Sequence, residues 1–177
     1  EGRAGGVVTE ASDVLHARAI VANVNPKLLY ERLLAPSQVP SATRERMANW
    51  RCGSGTFRMN VALAELPRFS ALPEPGDHLT AGIIMAPSIA YMDRAYRDAV
   101  DFGWSREPII EMLIPSTLDD SLAPSGQHVA SLFCQHVAPA LAGGRNWDDH
   151  RDEVADLMIA TVDRFAPGFK ASVLGRM

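Results

Sequence analysis

Thr56-Phe57-Arg58-Met59-Asn60-Val61-Ala62-Leu63-Ala64 is the stretch on which the fold turns. Phe57, Met59, Val61 and Leu63 alternate with Arg58, Asn60, Ala62 and Ala64, the two-residue period of a strand with one buried face. Leu66-Pro67 ends it, and 73–77 is a turn-rich loop. Downstream, residues 79–85 and 109–114 read as strands, and 128–137 as a third. Between the first two, Ser88 caps a helix over 89–102 with Ile89, Met92, Ala95, Tyr96, Ala99 and Val100 at helical spacing and Gly103 as its C-terminal cap. Asn146 caps a last long helix, 147–165, with Asp148 and Asp149 in the first turn where the helix dipole favours them. Pro167-Gly168 closes it.

Upstream, 5–9 and 16–23 are β-rich runs joined by a polar connection, a hairpin signal. Asn25 caps a short helix over 27–34 that Pro26 starts and Pro36 stops. Ser41 caps a second helix reaching about residue 50. The fold class is therefore α+β, an antiparallel or mixed sheet with helices on one face, and the order from residue 79, preceded by the strand from Thr56, resembles a ferredoxin-like or related α+β sandwich. The Pro-rich 66–76 loop is the one candidate internal linker, too short to separate two independent domains.

Composition narrows the function classes. With 177 residues, 47% hydrophobic and 21% charged, the chain can close over a core and is not disordered. A formal net charge of −4 and the lack of a Lys/Arg-rich tract argue against nucleic acid as a partner. No apolar run approaches the ~20 residues of a membrane-spanning segment. Two cysteines, Cys52 and Cys134, make no disulfide framework and suit a reducing compartment, so a cytoplasmic location is expected. The first residue is Glu1, which points either to processing or to a piece of something longer.

Candidate chemistry is sparse. His128 and His136 are eight apart on one expected strand, about 26 Å, too far to share a metal. His150 is expected on the exposed side of an acidic helix, beside Asp149 and Asp152. Asp148, Asp152 and Asp156 line one helix face and read as a solvated face near Arg145 and Arg151. Asp119-Asp120 suits a turn. Gly53-Ser54-Gly55 is not the G-x-S-x-G elbow, since a strand follows it. Cys134 sits mid-strand as a small core residue, and Cys52, beside Arg51, has no identifiable base. The glycine-rich pieces 2–6 and 142–144 match neither G-x-G-x-x-G nor a P-loop. No catalytic residue and no metal ligand is assigned.

The run Pro108-Ile109-Ile110-Glu111-Met112-Leu113-Ile114-Pro115-Ser116-Thr117-Leu118-Asp119-Asp120 and its continuation to Val129 resembles a segment of phytoene desaturase-like flavoproteins. The likeness is to the branch named for a pyridine nucleotide-disulphide oxidoreductase domain. Ala22-Asn23-Val24-Asn25-Pro26 is similar to that family's strand end before its substrate domain. Asn60-Val61-Ala62-Leu63 with Leu66-Pro67-Arg68-Phe69 resembles its first substrate-domain strand. Ala166-Pro167-Gly168-Phe169-Lys170 with Ser172-Val173 resembles the end of its last helix.

The resemblance implies a substrate-domain fragment of an FAD-dependent oxidoreductase related to phytoene dehydrogenase, in which hydride passes from an apolar small-molecule substrate to flavin. It implies a hairpin remnant of the FAD-binding domain at 1–25 and a substrate, or cap, domain at 26–177. Asn23 and Asn25, at the handover, are the implied FAD-contacting residues of the parent. The family's glycine turn for the FAD diphosphate is not in this sequence, so the fragment alone is expected to hold no FAD and to be inactive. A hairpin cut from its sheet leaves unpaired edges, so a homodimer through those edges, or else a mobile N-terminus, is expected. Two other readings compete: a free-standing α+β module that binds a ligand or a protein, and a hydrolase using Cys52 or Ser54.

Overall fold

In a computed structural model, which describes residues 2–53 and 55–177, the chain divides into two compact units, 1–52 and 53–177. The Gly53-Ser54-Gly55 motif falls at this division, and Ser54 itself lies outside the described residues. The 66–76 loop is no linker: Ser70 N donates to the Phe165 carbonyl at 2.9 Å, holding the loop inside the second unit.

The first unit opens with an antiparallel pair, β1 (Gly6–Val8) and β2 (Val14–His16), in the register Gly6↔His16 to Val8↔Val14. The second strand is shorter than expected and starts earlier. The turn closes through Thr9 N to Asp13 O, and a last backbone bond from Ala17 N to Gly5 O ends the pairing, so residues 18–23 continue no ladder among the described residues. Asn25 caps α1 (Pro26–Leu28), its Oδ1 accepting from Lys27 N at 2.8 Å. The expected single helix over 27–34 loosens after one turn into a π-helical turn over Leu29–Leu33. In α2 (Ser41–Ala48) the cap position is Pro40, and Ser41 is already helical.

The second unit is built on one five-stranded antiparallel sheet: β3 (Gly55–Leu63), β4 (Ile83–Met85), β5 (Trp104–Leu113), β6 (His128–Val137) and β7 (Val173–Arg176). Their spatial order is β4-β5-β6-β3-β7. The ferredoxin-like expectation is corrected here. That fold interleaves two split β-α-β units, whereas β4 and β5 are direct antiparallel neighbours. Two strand boundaries also move. Residues 77–80 form a tight turn, with Thr80 Oγ1 donating to the Asp77 carbonyl, so β4 begins only at Ile83. β5 begins at Trp104 because its Pro108 lies between paired Trp104 and Ile109, where the ladder slips and no N–H is required.

Three helices complete the unit: α3 (Ile89–Phe102), α4 (Trp147–Phe165) and α5 (Phe169–Ser172). Asn146 and Ser88 cap α4 and α3 as expected, accepting from Asp149 N and Tyr91 N. α4 turns Val154, Ala155, Met158, Ile159 and Val162 onto Met59, Val61, Leu63, Ile110, Met112, Ala130, Leu132 and Cys134, forming the main core. At its start Trp147 packs near Phe57 and Trp104, and its Nε1 donates to the Ala138 carbonyl at 3.0 Å. Arg176 of β7 pairs with Asp152 and Asp156, fastening the edge strand to α4.

The helices do not share one face. α3 packs Tyr91 and Ala95 on Ile109, which alternates to the side opposite core residue Ile110. α3 buries only part of its expected stripe: Ala95 and Ala99 are buried, together with Tyr91, which the stripe did not include, whereas Ile89, Met92, Tyr96 and Val100 are exposed. Small Ala95 and Ala99 let the backbone approach the sheet closely, and the large residues flank that contact.

Gly103 ends α3 in the left-handed region, at φ +104°. A Cβ there would lie 2.6 Å from Leu141 Cδ2. Gly103→Ala is therefore expected to lower the unfolding free energy by about 1–2 kcal/mol from the backbone penalty alone, as read by urea denaturation. A loss below a few tenths would show that this turn relaxes freely.

Candidate functional site

The side of the sheet away from α4 is open beyond the end that α3 covers. Pairing lines up its residues in rows. Ile84 of β4 lies opposite Glu111 of β5, Glu111 opposite Phe133 of β6, and Phe133 opposite Arg58 of β3. The next row runs Leu113, Ser131, Asn60. With strands ~4.8 Å apart, the first row spans roughly 14 Å. Ile84 and Leu113 are more than half exposed and Phe133 is 38% exposed. A groove of ≈250 Å³ runs among these side chains. Glu111 accepts from Gln135 Nε2 at 3.1 Å, which fixes the carboxylate beside Phe133. This is an apolar strip with one charge of each sign along it, Glu111 on one side of Phe133 and Arg58 on the other.

Behind β4 lies a second, larger cleft of ≈460 Å³ whose walls include Phe69, Leu72, Ile83, Met85 and Phe165, with His78 and Arg164 also in the lining. It shares Gly82, Ile83 and Ile84 with the groove, so β4 stands between two apolar hollows. Arg164 is paired with Glu107 at 3.1 Å.

The residues singled out from sequence do not converge on this surface. Asn25 spends its side chain locally: Oδ1 caps α1, and Nδ2 donates to Cys52 Sγ at 3.4 Å. Asn23 is exposed. His128 and His136 do share β6, but His128 Nδ1 lies 3.4 Å from Ser116 Oγ while His136 meets the Tyr96 ring. His150 is half-buried rather than exposed. Its ring lies 5.2 Å from that of Trp104, and Nδ1 is 3.2 Å from Glu153, not from Asp149 or Asp152. The expectation failed because the aromatic cluster at the start of α4 extends one turn along that helix.

Asp148, Asp152 and Asp156 are a solvated face, paired with Arg151 and Arg176. Arg145 instead donates to the Phe102 carbonyl at 2.7 Å and covers the Trp104 ring. Asp119 accepts from Ser121 N and Oγ, and those bonds hold its carboxyl below the usual range. Cys134 is fully buried, and desolvation pushes its thiol up to about 12. Cys52 is exposed and takes a hydrogen bond from an amide, with no imidazole or carboxylate partner among the described residues. No group of three metal-ligating side chains occurs among the described residues. No helix among them is long and apolar enough to cross a membrane.

The open face was missed at the sequence level although its signal is present. In β6, Ala130, Leu132 and Cys134 set the buried phase, and Phe133 breaks the polar phase. Leu113 and Ile84 break it likewise in β5 and β4.

No protein-family profile matches the chain. It is similar to pyridine nucleotide-disulfide oxidoreductase domain-containing protein 2 of Rattus norvegicus, at 36% identity over 183 aligned positions, and to that of Mus musculus, at 34%. Each alignment covers 99% of this chain and 32% of the relative, so the chain spans about a third of the length of the relatives it matches. Over nearly its whole length, then, the chain is a relative of pyridine nucleotide-disulfide oxidoreductase domain-containing protein 2, the branch its Pro108–Val129 run resembles.

Proposed function

We propose that these residues form the substrate-facing part of an FAD-dependent oxidoreductase related to phytoene dehydrogenase, acting on an apolar small molecule. The observation that carries this reading is the open sheet face. A chain whose relatives are named for an oxidoreductase domain keeps Ile84, Leu113 and Phe133 uncovered in one strip. Burying such a strip against a hydrocarbon substrate gains roughly 25 cal/mol per Å² of apolar surface. It also keeps water from a hydride transfer, the chemistry that flavin supplies in such enzymes. On this reading residues 1–25 belong to the flavin-binding part and 26–177 to the substrate part.

The described residues do not fit the FAD diphosphate. The turn after β1 leads into an antiparallel strand, not into a helix whose N–H groups could meet a phosphate. Asn25 has both polar atoms of its side chain engaged. The diphosphate is accordingly assigned to residues outside this chain, with exposed Asn23 as the one remaining candidate contact here.

The test is visible absorbance and FAD content of the purified 177-residue chain, beside the full-length product of its gene. The expected result is flavin in the long form and none in the short. Flavin in neither ends the oxidoreductase reading and favours a ligand- or protein-binding module. Flavin in the short form shows that these residues hold the cofactor after all. Asn23→Ala in the full-length protein is expected to lower flavin content; unchanged content removes that contact.

A further inference from the structure

The cleft between α3 and the C-terminal end of β6 holds a polar group that neither the core nor the open face explains. Its walls include Tyr96, Ala99, Val100, His136 and Val137, and among the described residues no Lys, Arg, Asp or Glu lines it. Its volume of ≈460 Å³ is in the range of small-molecule sites.

His136 is held firmly there. Its backbone N–H donates to Ser105 Oγ at 2.8 Å, and Ser105, fully buried, has its hydroxyl 2.5 Å from the Ala95 carbonyl and 3.1 Å from that of His136. One hydroxyl thus ties β5, β6 and α3 at a single point. The Tyr96 ring meets the imidazole edge-on, with centroids 5.5 Å apart at 88°.

Among the described residues, Nδ1 of His136 is buried with no hydrogen-bond partner. The ring nevertheless lines the cleft, so Nε2 is the nitrogen it presents there. A neutral imidazole carries one N–H and one bare lone pair. Sealing away an N–H with no acceptor is rarer in proteins than leaving a lone pair unfilled, which places the proton on Nε2. Burial holds the ring below its ordinary 6.5, so it is neutral at pH 7. The cleft therefore combines apolar walls with a fixed, uncharged donor on His136.

We propose that this cleft binds an uncharged carbonyl compound with an apolar body (a ketone, aldehyde or ester), its oxygen accepting from His136 Nε2–H. A carboxylate would lose water in exchange for no cation. An alcohol would bring in its own O–H, for which the His136 Nε2–H is a donor and no acceptor. Val100 and Ala99 take the apolar body. The assignment rests on the His136 environment alone and stands or falls separately from the flavin reading.

The experiment is nitrogen NMR of the imidazoles in the 177-residue chain, titrated with 2-decanone, 2-decanol and decanoate. At pH 7 His136 is expected as the neutral Nε2–H tautomer, and 2-decanone is expected to shift its ring signals saturably. The ketone is expected to bind at least tenfold more tightly than decanoate and more tightly than the alcohol. His136→Phe, which keeps an aromatic ring against Tyr96, is expected to lose that preference. A cationic ring or the Nδ1–H tautomer in the unmodified chain overturns the proposal even if the variant fails to fold. So does equal binding of all three probes, or binding of none.

Discussion

Leu132→Ala is expected to lower the unfolding free energy by about 2–5 kcal/mol, whereas Phe133→Ala, one residue along the same strand, costs under about 1 kcal/mol. Leu132 is fully buried at the middle of β6, with Met59 on one side, Met112 on the other and α4 across it. Truncation there removes three carbons from a closed space, and the flanking strands are fixed by their ladders and cannot collapse into the cavity. Phe133 has the larger side chain but points to the open face, where its ring already meets water. Urea denaturation of both variants reads the contrast. Comparable losses would mean that Phe133 belongs to a second buried layer, and the open face would cease to be a candidate surface.

The same pair of residues shows what could be read in advance. Alternation at 56–64 forecast β3 because one face of it is buried, and that is the condition under which period two survives in a sequence. Caps at Ser88, Gly103 and Asn146 were legible for a local reason, since each satisfies N–H or C=O groups of its own helix end. Strand order was not legible. Antiparallel neighbours β4 and β5 are joined through a 14-residue helix, and nothing in local spacing separates that path from a split β-α-β crossover. β7 escaped notice because its four residues, Val173–Arg176, have no pattern of their own and are a strand only by pairing with β3.

The α3 stripe misled for a further reason. Hydrophobic spacing identifies an apolar face but not the surface that covers it, and here two apolar faces lie side by side on one helix. Among the described residues the sheet takes the alanine-rich one, and Tyr96 and Val100 of the larger stripe are left facing the cleft that His136 shares. The candidate surfaces were therefore hidden by the same feature, apolar side chains out of phase with the core. Asn25 shows the converse. It stood out in sequence, and hydrogen bonding within its own unit accounts for both polar atoms of its side chain.

Raising the pH above about 9 is expected to weaken the fold through Cys134 alone by about 1.4 kcal/mol per pH unit. Cys134 lies against Phe57 and Ile110 in the sheet, fully buried, where a thiolate would find neither water nor a cation. Desolvation moves its ionisation from 9.0 to about 12. Below 9.0 both folded and unfolded chains hold the proton, and the contribution is unchanged. Between 9.0 and about 12 the unfolded chain releases it and the folded chain does not. The unfolded state then binds fewer protons, so stability falls as pH rises. Denaturant unfolding at about pH 9 and about pH 11 is expected to show a fall roughly 2–3 kcal/mol larger in the unmodified chain than in Cys134→Ala, which removes the titrating group. The two cysteines should also separate by reactivity. At neutral pH a disulfide-exchange reagent is expected to label exposed Cys52 and to reach Cys134 only as the chain unfolds. Equal pH slopes in the two proteins, together with two fast-reacting thiols, would place Cys134 in contact with solvent and overturn the account of the α4-facing core.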